Sequence, residues 1–240
     1  MDICGKRILI TGGAKRCGAA MVRHFAAQGA TVLLHCNRSV AEAEALLRDL
    51  PGQGHRLLQA DFSELSNVSK LLEAAGTFDV LVNNASIFFR PGSAEDAAAE
   101  KSYETINFFA PKLLMEYFAS TALPGSCAVN IVDQAVLTCA DGAYVESRKK
   151  LAALTLSFAE RYGDSGLRFN AVAPGPVLPP SWAPDSRMEK TLPTLPLKRP
   201  VSVDDLVAAV DFLIKCESVT GAILPVDCGQ SIKLRLAENI

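Results

Sequence analysis

The stretch "ILITGGAKRCGAA", residues 8–20, decides the fold. A short apolar run leads into a turn with Gly12 and Gly13, and a segment of helical period that contains Gly18 follows. Glycines at such a junction let the backbone approach a pyrophosphate, whose charge is met by the free N–H groups at the helix start. The stretch therefore predicts a strand, a phosphate-binding turn and a helix, although many strand-to-helix turns are glycine-rich for steric reasons alone.

The same alternation of strand and helix continues along the whole chain. The predicted strands are "KRILIT", "ATVLLHC", "HRLLQA", "DVLVNN", "SCAVNIVD", "LRFNAVAP" and "GAILPVD". The predicted helices cover about 16–28, 39–50, 65–75, 100–120, 144–162 and 203–216. Apolar strands separated by amphipathic helices indicate an α/β fold, a doubly wound (Rossmann) seven-stranded parallel sheet with helices on both faces. Residues 1–240 are expected to form a single dinucleotide-binding reductase domain.

Composition limits the classes of partner. The 240 residues are 49% hydrophobic and carry a net charge of −2, which leaves no basic surplus for nucleic acid. No window is apolar enough to span a membrane, and the first ten residues lack the features of a signal peptide. The seven cysteines include no CxxC pair, so neither a metal site nor a disulfide framework is predicted. We expect a cytoplasmic protein with a small-molecule substrate.

The end of the second strand points to the cofactor. Its sequence "CNRS" places Arg38 between Asn37 and Ser39, where a carboxylate would be expected for the ribose of NAD. A guanidinium and a hydroxyl bind a 2′-phosphate, which a carboxylate would repel, and this favours NADPH. Lys15 and Arg16 add positive charge on the same side. The alternative is that Arg38 is a solvated residue at a helix start.

With these residues in place, the chain resembles the short-chain dehydrogenase/reductase family over nearly its full length. The resemblance is carried by "TGGAKRCG", "ADF", "NNAS", "INFFAP", "NAVAPGPV" and "GAILPVDCG". It implies catalytic Asn107 and a homodimer or homotetramer that pairs through the fourth and fifth helices and the last strand. It also implies further cofactor-binding residues, which are Asp61, Asn83, Ala85, Ser86, Pro174, Gly175 and Val177.

Within that family the chain is most similar to the pteridine reductases. The shared features are Arg16 in the turn, Arg38 with Ser39, Phe88 soon after "NNAS", and Asp133 where most members carry serine. They imply a planar heterocycle as substrate, with Arg16 facing both a cofactor phosphate and the substrate. Phe88 would stack on the heterocycle, and the alternative is that it is a core phenylalanine.

Asp133 ends the fifth predicted strand and lies eleven positions before Tyr144. Ligands bind at this end of parallel strands. An ionised carboxylate would repel a developing oxyanion, which counts against simple ketones. A carboxyl group with a raised pKa could instead pass a proton, or it could accept hydrogen bonds from an aminopyrimidine ring. The alternative is an aspartate that caps the loop after the strand.

A tyrosine and a cation come next, in "AYVESRKKLAAL". Helical geometry places Arg148 on the side of Tyr144, whereas Lys149 and Lys150 face elsewhere. The family carries lysine at position 148. A positive charge about 5 Å from the phenol stabilises the phenolate by roughly 3 kcal/mol, or about two pKa units. It is expected to lower the pKa of Tyr144 towards neutral pH. Arginine keeps this field but does not deprotonate, so it cannot relay a proton.

The segment 174–200 contains eight prolines, which rule out a long regular helix. Because it follows the sixth strand, we expect it to be a substrate loop, with a surface excursion as the alternative. Phe89, Trp182 and Met188 are further candidate pocket walls.

Three functions remain open at this stage. The first is NADPH-dependent reduction of a pterin-like heterocycle, with Asp133 and Tyr144 delivering the proton and Arg148 orienting the ribose. The second is a carbonyl or quinone reductase of the same fold. The third is a catalytically weakened NADPH-binding protein, because Arg148 replaces the family lysine.

Overall fold

Seven parallel strands form one sheet in a computed structural model, which describes residues 1–89, 96–180 and 186–232. The order across the sheet is β3-β2-β1-β4-β5-β6-β7. The strands are β1 Arg7–Ile10, β2 Thr31–Cys36, β3 Arg56–Gln59, β4 Val80–Asn83, β5 Cys127–Ile131, β6 Arg168–Pro174 and β7 Ile223–Val226. Each lies inside its predicted run, so the predicted Rossmann sheet is confirmed.

Helices cover both faces of this sheet. They are α1 Arg16–Ala27, α2 Val40–Arg48, α3 Leu65–Ala75, α4 Asp96–Glu104, α5 Ala110–Thr121, α6 Ala143–Tyr162, α7 Ser186–Thr191 and α8 Val203–Lys215. Helices α1, α2 and α8 pack on one face, and α3, α5 and α6 pack on the other. The central strands β1, β2, β4, β5 and β6 are buried on both sides, which explains why they read as apolar runs, whereas the edge strands β3 and β7 are partly exposed.

Helix α8 shows how the sequence fixes a helix locally. The Ser202 hydroxyl accepts a hydrogen bond from the Asp205 N–H at 2.9 Å and so caps the N-terminus. Five apolar residues at helical spacing face the core: Leu206, Val207, Val210, Leu213 and Ile214. At the other end the buried guanidinium of Arg168 donates to the carbonyls of Leu213, Ile214 and Cys216. The last turn is therefore satisfied by a side chain from β6.

Two regions differ from the sequence prediction. The helix predicted over 100–120 starts earlier, at Asp96, and a π-helical turn at Thr105–Phe109 separates α4 from α5. Pro111 lacks an N–H at the start of α5, so the regular hydrogen-bond pattern cannot run through this point. The proline-rich segment also contains α7, a short helix that periodicity could not reveal.

The sheet order places the candidate site. From β1 the chain continues to β2 and β3 on one side of the sheet, and from β4 it continues to β5, β6 and β7 on the other. A crevice opens at the carboxyl ends of two adjacent strands whose connections run in opposite directions. Within the residues that the structure describes, no helix is long and apolar enough to cross a membrane. The same residues contain no cluster of histidine, cysteine, aspartate and glutamate that could hold a metal ion.

Two glycine-to-alanine changes test how tightly the first turn packs. A Cβ at Gly18 would lie 2.1 Å from the Gly12 carbonyl oxygen, whereas a Cβ at Gly163 would meet nothing within 4 Å. Gly18→Ala is therefore expected to lower the free energy of unfolding by at least about 2 kcal/mol. Gly163→Ala, at a helical φ of −57°, is expected to raise the free energy of unfolding by less than about 1 kcal/mol. Urea denaturation measures both, and equal stabilities would contradict the packing described.

Candidate active site

The turn after β1 is held open for a ligand by two glycines. Gly12 has a φ of +65°, and a Cβ there would lie 3.0 Å from the α-carbon of Ala85. Gly18 lets the first turn of α1 pack directly on the Gly12 carbonyl. Both predicted glycine positions therefore have a steric reason, and they leave backbone N–H groups at the start of α1 for an anion.

Side chains from two neighbouring strands fix this turn. The Thr11 hydroxyl accepts hydrogen bonds from the N–H groups of Asn84 (3.0 Å) and Ala85 (2.9 Å). The Asn84 amide donates to the carbonyls of Thr11 and Gly12. Sequence reasoning chose Asn83 for the cofactor instead. The structure buries Asn83 in the sheet, where its amide donates to Asn130 at 2.8 Å.

His35 is a second residue that the sequence analysis missed. Its Nδ1 accepts the Gly12 N–H at 3.2 Å, and its Nε2 donates to the Ala60 carbonyl at 3.0 Å. The ring stacks on Phe62 with centroids 4.0 Å apart. Burial lowers the pKa of His35 to about 4, so the imidazole is neutral at physiological pH and can accept at Nδ1. The signal was a histidine in an otherwise apolar strand.

The residues expected around a 2′-phosphate lie at the end of β2. Arg38 is exposed there, next to exposed Asn37 and half-buried Ser39. The Ser63 N–H donates to Asp61 at 2.9 Å and lowers the pKa of Asp61, and the Arg38 charge adds to this effect. Asp61 is therefore ionised beside Arg38.

The other predicted cofactor cations are partly engaged. Lys15 forms an ion pair with Glu42, on the first turn of α2. Arg16 has a φ of 53°, a conformation that favours glycine, and its Nη2 donates to the Pro179 carbonyl at 2.7 Å. Ser86 is exposed, and its hydroxyl donates to the carbonyl of Ile87 at 3.3 Å.

Asp133 and Tyr144 meet at the carboxyl end of β5. The phenol of Tyr144 donates to Asp133 Oδ2 at 3.2 Å, and Asp133 Oδ1 accepts the Ala135 N–H at 2.8 Å. The aspartate therefore caps the loop after the strand, as the alternative reading expected, and it also contacts the tyrosine. Its catalytic role stays a prediction. The Arg148 guanidinium carbon lies 5.5 Å from the centroid of the Tyr144 ring.

Burial dominates the ionisation of this pair. It raises the pKa of Tyr144 to about 12, although the nearby Arg148 charge lowers it. It also raises the pKa of Asp133, against the Ala135 N–H and the Arg148 charge. The expected shift of the phenol towards neutrality is therefore wrong in its net direction, because desolvation outweighs the arginine. At neutral pH the phenol keeps its proton.

The two lysines after Arg148 lie on other faces of α6, as helical spacing predicts. Lys149 is paired with Glu146 and donates to the Ala140 carbonyl, and Lys150 is paired with Glu104. Arg148 is instead 2% exposed. Its Nε and Nη1 are buried and have no hydrogen-bond partner among the described residues.

Aromatic rings surround Tyr144. Phe88 is 37% exposed, with its ring centroid 4.8 Å from that of Tyr144, so it is a wall of the site and not a core residue. Tyr103 of α4, which the sequence analysis did not single out, lies edge-on to Tyr144 at 5.7 Å. Its hydroxyl accepts the Phe89 N–H at 2.9 Å, so it holds the segment that carries Phe88.

Asn107 is fully buried in the π-helical turn. Its side chain accepts the Ile87 N–H at 3.0 Å and donates to the Ile87 carbonyl at 3.1 Å. It also lies 3.5 Å from the Ser147 hydroxyl. These are the contacts of a positioning residue, and its predicted place among the catalytic residues stays a prediction.

A cavity of about 470 Å³ lies over the pair Asp133 and Tyr144. One side of the cavity is formed by residues 174–180 and Met188, and Arg16 and Phe88 lie at its rim. Residues 174–180 include Pro174, Gly175 and Val177, which the sequence analysis expected to bind the cofactor. The described parts of the proline-rich segment therefore border the site. Trp182 lies outside the described residues.

Comparisons with known proteins agree with this geometry. A family model described as "Enoyl-(Acyl carrier protein) reductase" matches residues 12–231. Glucose 1-dehydrogenase from Gluconobacter oxydans is 30% identical to the chain, covering 95% of it and 92% of the relative. The chain belongs to the short-chain dehydrogenase/reductase family.

Two further members differ in the activity their names state. L-xylulose reductase from Bos taurus is 28% identical, over 95% of this chain and 98% of the relative. The crystal structure of FolM alternative dihydrofolate reductase 1 from Brucella canis, complexed with NADP, has a TM-score of 0.86 at 29% identity and covers 96% of each chain. The family membership identifies the chain as a short-chain oxidoreductase.

The residues present fit the dinucleotide of a short-chain reductase. The glycine turn offers backbone N–H groups to a pyrophosphate, and Arg38 is exposed at the end of β2, where it can bind a ribose phosphate. The two unpaired donors of Arg148 are the third feature, because a buried guanidinium without partners is costly unless a ligand supplies acceptors.

The neutral His35 predicts a specific pH dependence of stability. Above pH ~6.5 the imidazole is neutral in both the folded and the unfolded chain. As the pH falls from there to about 4, the unfolded chain gains a proton that the folded chain excludes. At pH 4.5 this is expected to cost about 2–3 kcal/mol of the free energy of unfolding, relative to pH 7. His35→Gln should lose correspondingly less over the same range in urea denaturation, and equal losses would rule out this assignment.

Proposed function

We propose that this protein is an NADPH-dependent reductase of a pterin-like planar heterocycle. The observation that carries the proposal is the hydrogen bond between the Tyr144 phenol and Asp133 Oδ2. A carboxyl group at this position suits a substrate that presents N–H groups, because it can accept hydrogen bonds from a ring or return a proton to it. The dihydrofolate reductase named among the similar structures supports this choice.

The residues around the cavity have distinct roles in this proposal. Bound NADPH supplies the hydride. Phe88 lies at the rim, where its exposed ring can stack on a flat heterocycle. Arg16 reaches the cavity from the cofactor turn and can meet an anionic or carbonyl oxygen.

Proton delivery belongs to Tyr144 and Asp133. The phenol is protonated at neutral pH because its pKa is about 12. When it gives up its hydrogen to the reduced ring, the phenolate is stabilised by the Arg148 charge 5.5 Å from the ring centre. Asp133 accepts the hydrogen bond of this phenol, and burial raises the pKa of its carboxyl group, so it is the second group through which we propose that the proton passes. Lys15, Asn37, Arg38, Ser39 and Asp61 hold the adenosine end of NADPH.

A carbonyl reductase of the same fold is the second candidate. The similarity to L-xylulose reductase favours it. Asp133 argues against it, because the carboxylate would face the oxygen on which negative charge develops. We further propose that the protein acts as a homodimer or homotetramer in the cytoplasm.

Substrate panels decide between these functions. The purified protein is expected to oxidise NADPH, measured as a loss of nicotinamide absorbance, when dihydrobiopterin, dihydromonapterin or dihydrofolate is added. Its kcat/KM for the best of them is expected to exceed that for small ketones and quinones at least about tenfold, or roughly 1.4 kcal/mol in transition-state binding. Turnover of ketones without turnover of dihydropterins would establish the second candidate instead. Thermal stabilisation by NADPH with no turnover of either class would indicate a binding protein.

The charge of Arg148 can be tested separately from its bulk. Arg148→Met keeps a long apolar stem and removes the charge, which is worth about 3 kcal/mol to the phenolate, so kcat/KM is expected to fall about 100-fold. The melting temperature should not fall with it, because the change removes a buried charge with unpaired donors. Arg148→Lys keeps the charge and should stay within about tenfold of the native enzyme. A fully active methionine variant would refute the electrostatic role.

A further inference from the structure

A buried polar atom without a hydrogen-bond partner points to a place where a ligand would supply that partner. Among the described residues these atoms are Asn83 Oδ1, Gln134 Oε1, Arg148 Nε, Arg148 Nη1 and Gln230 Oε1. Asn83 belongs to the sheet interior and Arg148 to the proposed cofactor site. The remaining two are amide oxygens of residues that both line the 470 Å³ cavity. Neither residue was part of the sequence-based site.

We propose that Gln134 and Gln230 are specificity-determining residues, whose amide oxygens accept hydrogen bonds from two separate donor groups of the substrate. This inference rests on the proposed function and adds how the substrate is selected. An amide oxygen has two lone pairs, and leaving it buried and unpaired is unfavourable. A substrate N–H or O–H group removes that penalty, whereas an apolar analogue does not.

The sheet order separates the two acceptors along the cavity. Gln134 directly follows Asp133 at the end of β5, beside the proton-delivering pair. Gln230 lies after β7, two strands away across β6. With neighbouring strands about 4.8 Å apart, the two strand ends are separated by roughly 10 Å. Gln134 is thus placed for the reacting ring and Gln230 for a group well beyond it.

On the side of the proline-rich segment the cavity lining includes the apolar residues Val177, Leu178 and Met188. A substrate that fits has a donor-bearing flat head, a short apolar stretch and a second donor group beyond it. A dihydropterin with a polyhydroxylated side chain has this pattern. A dihydropterin that carries only a methyl group lacks the second donor.

A crossed experiment tests the assignment. Dihydrobiopterin, which has a dihydroxypropyl side chain, is compared with 6-methyl-dihydropterin in the native enzyme, Gln230→Met and Gln134→Met. Gln230→Met is expected to raise the KM for dihydrobiopterin about tenfold or more, with kcat and the values for the methyl compound unchanged. Gln134→Met is expected to raise the KM for both substrates. Gln53→Met, the same change in an exposed turn far from the cavity, is the matched control and should have no effect.

Further outcomes separate this inference from the proposed function. Gln230→Glu keeps an acceptor and is expected to retain the preference for the hydroxylated side chain, which a purely structural role would not require. Equal losses on both substrates in Gln230→Met, or no loss on either, would overturn the assignment while leaving the pterin reductase activity established. If the native enzyme turns over neither dihydropterin, the proposed function and this inference fall together.

Discussion

The turn after β1 is the constraint on which the rest of the site depends. Its backbone is held by Asn84 and Thr11 from one side and by His35 from the other, and the first turn of α1 packs onto the carbonyl of Gly12. Four strand ends are thereby fixed relative to one another, because His35 also reaches the carbonyl after β3. A rigid junction of this kind leaves the N–H groups of the helix start in place before any ligand arrives, so that binding does not have to order them.

Burial sets the chemistry at the other end of the crevice. It raises the pKa of Tyr144 and of Asp133, so both groups hold protons more tightly than they would in water. The same burial explains why an arginine suits position 148. The side chain at position 148 is 2% exposed, and a guanidinium stays protonated under such burial. The positive charge beside the Tyr144 phenol therefore persists across the physiological pH range.

The sequence was sufficient for features with a strong period or a steric rule. Strand boundaries, the two turn glycines and the inward face of α6 at Arg148 follow from burial and helical geometry. The sequence was not sufficient to predict which of several possible partners a side chain contacts. Nothing in "NNAS" shows that Asn83 faces Asn130 while Asn84 faces the turn, because the sequence does not show that β4 ends between these two residues. The net ionisation of Tyr144 likewise depends on how much water its neighbours exclude, which a spacing of four residues does not reveal.

Arg16 shows how the two ends of the crevice are joined. A left-handed backbone at a non-glycine residue costs on the order of 1 kcal/mol, and glycine at this position would avoid that cost. The side chain gains a hydrogen bond to the Pro179 carbonyl, which lies in the segment bordering the cavity. The glycine turn after β1 and this cavity wall are therefore joined through one guanidinium. A ligand oxygen that bound this donor in place of the Pro179 carbonyl would break the link, because the two elements share this one hydrogen bond.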